Sequence, residues 1–210
     1  MTGSAILLVG AGGHARACID VIEQEGSFTV VGLVGQSAEV GSQVLGYMVL
    51  GTDAELPGLA GKYSHTLIAI GQIKTPEPRV RLFEVLERAG FAFPAIVSPR
   101  AYVSPHASIG PGTIVMHGAV VNAGAIVGRN CIINSLSLVE HDAVISDHCH
   151  IATGAAINSG VRVGVGTFIG SNASVRQGIR IGHGCVVGMG QRVLTDCASG
   201  GRLPAARKPA

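Results

Sequence analysis

Two stretches of this 210-residue chain carry residues with chemical potential. The first is Gly10-Ala11-Gly12-Gly13-His14-Ala15, which lies between an apolar run, Ser4 to Val9, and a segment with apolar residues at helical spacing, Arg16 to Gly26. Glycines at a strand-to-helix turn let backbone N–H groups approach a phosphate at the helix N-terminus. Taken alone, such a loop is a weak signal. The second stretch is Val139-Glu140-His141-Asp142, inside a long repetitive region. Five cysteines, Cys18, Cys131, Cys149, Cys185 and Cys197, form no paired metal spacing and read as small buried residues in a reducing compartment. His65, His106, His117, His148 and His183 read as surface histidines.

The elements that must position these residues fall into two halves. In the first, Ser4 to Val9 and Phe28 to Val34 read as strands around the glycine loop and its helix, and Thr66 to Ile70 as a third strand ending in Gly71-Gln72. A nicotinamide dinucleotide needs an acid at the end of the second strand to hold a ribose, and this chain has Val34-Gly35-Gln36 there, which disfavours that ligand. Gly46 to Thr52 reads as a short connecting segment. Arg79 to Ala89 is an amphipathic helix with Val80, Leu82, Phe83 and Leu86 inward and Gly90 as its cap. Phe91-Ala92-Phe93-Pro94 marks a boundary, so a Rossmann-like α/β domain is expected over 1–94.

From Val97 to Val193 an aliphatic residue recurs every six positions for seventeen hexads without a slip. Four residues after each anchor the side chain is usually small, as at Ala101, Thr113, Ala119, Cys131, Cys149 and Cys185. A period of six fits neither an amphipathic helix nor a simple alternating strand. It is the signature of a parallel β-helix whose aliphatic anchors fill the interior and whose small residues fit the corners. That domain is expected over 95–198, followed by a C-terminal tail, 199–210. High glycine and scarce aromatic content fit such a coil.

Net charge is only +2, but residues 161–210 hold seven Arg and Lys against the single acid Asp196, which suits either a solvated basic face or a polyanionic small molecule. Nucleic acid is disfavoured because the basic residues lack an aromatic platform. No secretory signal, lipidation motif or long apolar run is present, so a soluble cytoplasmic protein without membrane insertion is expected.

The three motifs together, Gly10-Ala11-Gly12-Gly13-His14-Ala15, Ala69-Ile70-Gly71 and Val139-Glu140-His141-Asp142, resemble the hexapeptide-repeat nucleotide-sugar N-acetyltransferases and sialic-acid-type O-acetyltransferases of bacterial polysaccharide pathways. The resemblance covers residues 5 to 198. It implies a left-handed β-helix with three hexads per turn, and a homotrimer that binds acetyl-CoA along the prism at a subunit interface. It places a nucleotide-linked amino sugar on Gly12, Gly13, His14 and Gly71, makes His141 the general base and makes Asp142 its orienting acid. CoA contacts would include His150, Ser171 and Met189. Relatives that use uridine nucleotides commonly carry an acidic pair after the second strand, where this chain has Gly35-Gln36. The preferred acceptor is therefore GDP-perosamine, acetylated on its 4-amino group for lipopolysaccharide O-antigen. The closing Leu203-Pro204-Ala205-Ala206-Arg207 only loosely resembles the family's ending.

Eighteen residues per turn makes the repeat a map. Ser159 stands one turn above His141 and offers a backbone N–H as oxyanion donor. Ile114, Ile132, His150, Phe168 and Val186 form one outward stripe, expected at the trimer interface or else packed beneath corners. Asn134, Ala152, Gly170 and Gly188, beside Ser135, Thr153, Ser171 and Met189, form a small-residue track. With Arg162, Arg180, Arg192 and Arg207 it suits the pantetheine and phosphates of CoA, and Asn134 also lies at the height of His141 for an acceptor contact. Three other readings stand beside this one: an O-acetyltransferase on a sialic-acid-type sugar, a non-catalytic sugar-nucleotide-binding scaffold, and a zinc-dependent carbonic anhydrase using His117, His141 and His150. The leading reading needs no metal.

Overall fold

A computed structural model describes residues 3–204. Arg207, grouped above with the basic residues, lies outside the described residues, as do Ala205 and Ala206 of the closing motif. The first half contains β1 (Ser4–Val9), α1 (Gly13–Glu25), β2 (Phe28–Val34), β3 (Gln43–Val44), β4 (Tyr47–Gly51), α2 (Leu56–Ala60), β5 (His65–Ile68) and α3 (Glu77–Arg88). Its sheet runs in the order β3-β4-β2-β1-β5, parallel except for the β3–β4 pair. The stretch expected to be a connecting segment is therefore a strand, β4. Its signal is weak because Val49 packs inward beside Leu33 while the flanking Met48 and Leu50 stay exposed. Gly32 makes room for β4: a Cβ there would meet the Leu50 side chain at 2.6 Å.

Helix α1 begins at Gly13, three residues before the expected start, so the glycine loop itself forms its N-terminus. It ends at Gly26, which adopts the left-handed conformation (φ 79°) and donates to the Ile22 carbonyl. Helix α3 buries Leu82, Phe83 and Leu86 as expected, and with them Arg79.

The second half is a left-handed parallel β-helix. Each of the seventeen anchors is the second residue of a two-residue strand, and strands eighteen residues apart pair in three parallel sheets. The first face runs upward through Ile114, Ile132, His150, Phe168 and Val186; the second through Tyr102, Val120, Leu138, Ala156, Ser174 and Arg192; the third through Ser108, Ile126, Val144, Arg162 and Arg180. Anchors and small residues together make one continuous buried core. At one edge the small position carries Thr or Cys because it also donates a hydrogen bond: Thr113 Oγ1 to Gly128 O (2.7 Å), Cys131 Sγ to Ser146 O (3.2 Å), Cys149 Sγ to Gly164 O (3.2 Å) and Thr167 Oγ1 to Gly182 O (2.8 Å). After Val193 the register tightens, Ile181 bridging Cys197 and Val186 pairing with Arg202, so that Arg202–Leu203 adds a strand to the first face within the stretch read as tail.

The two halves pack closely. Ile96, Ile114, Met116 and Ile132 share a buried cluster with Ile6, Ala15, Cys18 and Ile19. This corrects the expectation for the apolar stripe. Its lower part is covered by the chain's own α1 and sheet, the nearest apolar surface available, while Phe168 and Val186 remain half-buried above.

Candidate functional site

The chemistry-bearing residues gather in three places around the prism. The first is the seam on the first face. After β5 the chain runs through Ile70-Gly71-Gln72 into the prism wall. Gln72 is buried, and its amide nitrogen donates to His148 O (3.0 Å) and Gly166 O (3.3 Å). His150 donates from Nδ1 to the Gln72 carbonyl (2.6 Å), which leaves Nε2 to accept from Asn134 Nδ2 (3.1 Å). Asn134 is oriented in turn because its Oδ1 accepts from Ser135 N (2.8 Å). Burial pushes His150 down to about 4, against the raising effect of the Gln72 carbonyl, so the ring is neutral. His14, on the first turn of α1, is pushed down to about 3 by burial and by the nearby Arg79 and His150. Its Nε2 is buried and meets no partner among the described residues.

Arg79 holds the seam together. It is 1% exposed and donates to Ile68 O (2.9 Å), Ile70 O (2.6 Å), Asn130 Oδ1 (2.7 Å) and Asn130 O (3.2 Å). Burial lowers it to about 10, so it keeps its charge at neutral pH, stabilised by oxygen dipoles instead of a carboxylate. Beside the seam, at the C-terminal ends of the parallel strands, lies a crevice of about 590 Å³ lined by Gly10, Ala11, Gly12, Glu39, Asp53 and Arg81. Gly12, Gly13 and Gly71 are exposed there or next to it, with open space where a Cβ would stand.

The second place is the prism edge between the second and third faces, opposite the seam. Asp142 sits at a corner in the left-handed conformation (φ 59°), which aspartate tolerates, and Gly124 one turn below leaves space for its carboxylate. That turn brings Asp142 Oδ2 to 2.9 Å from His141 Nδ1. Glu140, held by Asn122 Nδ2 (2.9 Å), accepts from the His141 backbone N–H (3.1 Å). His141 Nε2 is thus the nitrogen left for a ligand. The cleft around it, about 370 Å³, is lined by Ser159, Gly160, Gln177 and Gly178. His141 and Asp142 are 58% and 73% exposed in the single chain.

The third place is the edge between the first and second faces, which carries the small-residue track. Gly170 is required there, since a Cβ would meet Met189 N at 2.6 Å. Ser171 is half-buried and Met189 is 65% exposed. The exposed Arg162 and Arg180 stand on the third face, beside the edge of His141 and not the track, whereas the exposed Arg192 opens the second face directly after the track's own turn at 188–191.

Comparison with known proteins gives this geometry its context. The PglD N-terminal domain family matches residues 5–86, and the hexapeptide repeat of succinyl-transferase matches residues 160–194. A histidine-to-asparagine variant of perosamine N-acetyltransferase from Caulobacter crescentus, in complex with CoA and GDP-perosamine, is 32% identical with a TM-score of 0.89 over 94% of this chain and 91% of that one. The chain belongs to the hexapeptide-repeat nucleotide-sugar N-acetyltransferases. Two further structures agree. PerB from Caulobacter crescentus with CoA and GDP-perosamine is 33% identical (TM-score 0.87, covering 93% and 91%), and the acetyltransferase domain of PglB from Neisseria gonorrhoeae with acetyl coenzyme A is 30% identical (TM-score 0.87, covering 95% and 95%). A search of curated proteins found no match. Like its relatives, this member is an acyltransferase.

Within one chain, His14, Gly71, Asn134 and His150 come together around the seam, and His141, Asp142 and Ser159 at the opposite edge, while Ser171 and Met189 stand on a third. Both ring nitrogens of His150 are taken up inside the chain, so the side chain has no donor left for CoA; it braces Gln72 instead. His117 is not a free surface histidine, since it binds Asp20 (2.7 Å) and Ser98 (2.6 Å), tying α1 to the prism. His148 is likewise buried in the seam, where its Nδ1 accepts from Asn130 (2.9 Å). His117, His141 and His150 stand apart, and no group of three or more potential metal-binding side chains converges among the described residues. Sequence reasoning missed Arg79, Gln72, Glu39 and Gln177. Arg79 carried a signal, because it stands at the inward spacing of α3 with Leu82, Phe83 and Leu86.

Proposed function

We propose that the chain transfers the acetyl group of acetyl-CoA to the 4-amino group of a nucleotide-linked 4-amino-4,6-dideoxy sugar, GDP-perosamine by preference, for bacterial surface polysaccharide. The observation that carries this is the His141–Asp142 pair, with Nδ1 fixed on the carboxylate and Nε2 open to a cleft. Nε2 takes a proton from the amine as its nitrogen attacks the thioester carbonyl. The new N–C bond forms, the C–S bond breaks, and CoA departs as the thiol. Gly160 N–H is engaged by His141 O (3.1 Å), leaving the Ser159 N–H as the oxyanion donor one turn above the base. The complexes of relatives with CoA and GDP-perosamine support the choice of both ligands.

The active form is a homotrimer in which one copy supplies His141 and a neighbour the seam, the crevice and the small-residue track. Three observations support it. The partial sites stand on different edges of one prism, and the base is too exposed to exclude water. Apolar side chains also remain uncovered: Ile126 (51% exposed) beside the His141 edge, Leu136 (69%) on the edge of the small-residue track, and Tyr102 (56%) on the second face between them.

Thiol release from acetyl-CoA, measured against a panel of GDP-, UDP- and dTDP-linked 4-amino sugars, tests the proposal. GDP-perosamine should give the strongest signal. A stronger signal from a uridine or thymidine sugar overturns the acceptor, and no release with any of them overturns the reaction.

A further inference from the structure

The end of β2 lacks the acid that holds a ribose in many strand-loop-helix nucleotide sites, for Val34 is followed by Gly35-Gln36. The chain then makes a single 3₁₀ turn, Ser37–Glu39, closed on itself. Glu39 N donates to Gln36 O (2.8 Å), and Glu39 Oε2 accepts from Gln36 N (2.7 Å) in a reciprocal cap. The turn carries a carboxylate from position 39 back to the tip of β2. Gly35 admits it, because a Cβ at that position would stand 2.7 Å from Glu39 Oε2 and 3.0 Å from the Ala11 Cβ in the glycine loop.

From this geometry we propose that Glu39 holds the ribose diol of the nucleotide acceptor, in place of the acid missing from the end of β2. The inference rests on the reading that a nucleotide-linked sugar is the acceptor. Along the crevice the glycine loop and the α1 N-terminus take the diphosphate, Glu39 stands next, and Thr52, Asp53 and Arg81 line the same cavity on the side of the base. The cap engages Oε2, which leaves Oε1 to accept from a ribose hydroxyl. A charged acceptor makes this a strong hydrogen bond.

The test is calorimetric binding of GDP and 2′,3′-dideoxy-GDP to the full chain, to Glu39→Gln and to Gly35→Ala. The wild type should prefer GDP by roughly 10- to 100-fold, the typical range for a hydrogen bond to a charged group. Glu39→Gln can still accept from Gln36 N–H through its amide oxygen, so its melting temperature should hold while most of the preference disappears. GDP binding should weaken and dideoxy-GDP binding should barely change. Gly35→Ala, which displaces the carboxylate without removing it, should do the same. Equal weakening of both nucleotides, or no change in either, overturns the assignment, since a merely structural turn cannot distinguish them. UDP and 2′,3′-dideoxy-UDP are run in parallel. If the uridine pair binds better, the base in the proposed function is wrong and Glu39 is judged on that pair by the same criterion. If no nucleotide binds, both readings fall.

Discussion

His141 and His150 are nine residues apart, on successive stretches of the same coil, and they have opposite surroundings. His150 is buried, with one ring nitrogen on a carbonyl and the other on an amide. His141 is exposed, with one nitrogen on a carboxylate and the other facing a cleft. The side of the prism explains the contrast. His150 stands on the first face, which the N-terminal half covers, whereas His141 stands at the corner between the second and third faces, which nothing among the described residues covers. His117 holds the same place in its hexad as His141 but lies at the corner between the first and second faces, where Asp20 of α1 engages it, so a histidine on this scaffold is a brace or a base according to which side of the prism it occupies.

The largest effect should come from the corner. Positioned base catalysis is worth ~10²–10⁴-fold, so His141→Asn should lower kcat by about that much and leave the melting temperature unchanged. Near-wild-type turnover would break the assignment. If the site is shared between copies, mixing His141→Asn with a variant blocked at the glycine loop, such as Gly12→Trp, should restore about a quarter of wild-type activity, because random assembly pairs an intact base with an intact crevice at that frequency. Two inactive variants that stay inactive after mixing would place the whole site in one chain.

The seam should respond in stability. Arg79→Met removes the donor to Ile68 O, Ile70 O and Asn130 while keeping much of the side-chain volume. Leaving such buried acceptors unpaired should destabilise the fold by about 3–5 kcal/mol, read by urea denaturation. A loss below about 1 kcal/mol would show that the two halves are held by the apolar cluster alone.

Acid should strain the same seam. His14 and His150 titrate at about 3 and about 4 in the fold, below the ordinary 6.5 that they regain on unfolding. Between those values the unfolded chain binds protons that the folded chain refuses, so stability rises with pH across that window. It is fully present above about pH 6.5 and falls as pH drops toward 4, by about 2 kcal/mol per histidine at pH 5. His150→Gln should remove its share of the slope between pH 7 and 5. An unchanged slope would mean that the ring is not shielded as the fold implies.

These contrasts also show what the sequence could convey. The β-helix was legible because an interior one side chain wide demands an aliphatic residue at every sixth position, and all seventeen anchors lie in paired strands. The glycine loop and the His141 motif were legible as local patterns. The seam was not, because Arg79, Gln72, Asn130 and His150 come from segments up to 78 residues apart and meet only when the halves dock. Strand β4 escaped because the residues it exposes, Met48 and Leu50, are themselves apolar, so its burial alternates where its hydropathy does not, and the cover over Ile114 and Ile132 escaped because a repeat read modulo eighteen shows which residues face outward but not what lies against them.

The smallest effect should be the most discriminating at the corner. If the Ser159 backbone N–H stabilises the oxyanion, Ser159→Ala keeps that donor, and the corner geometry is set by Gly160 N on His141 O and Gly178 N on Ser159 O (2.9 Å), neither of which involves the hydroxyl. Turnover should then fall less than about threefold. Losing a true oxyanion donor costs about 10²–10³-fold, so a loss of that size in Ser159→Ala would transfer the role to the hydroxyl. The two outcomes differ by more than an order of magnitude, which separates a scaffold that catalyses through its own backbone repeat from one that merely displays side chains on it.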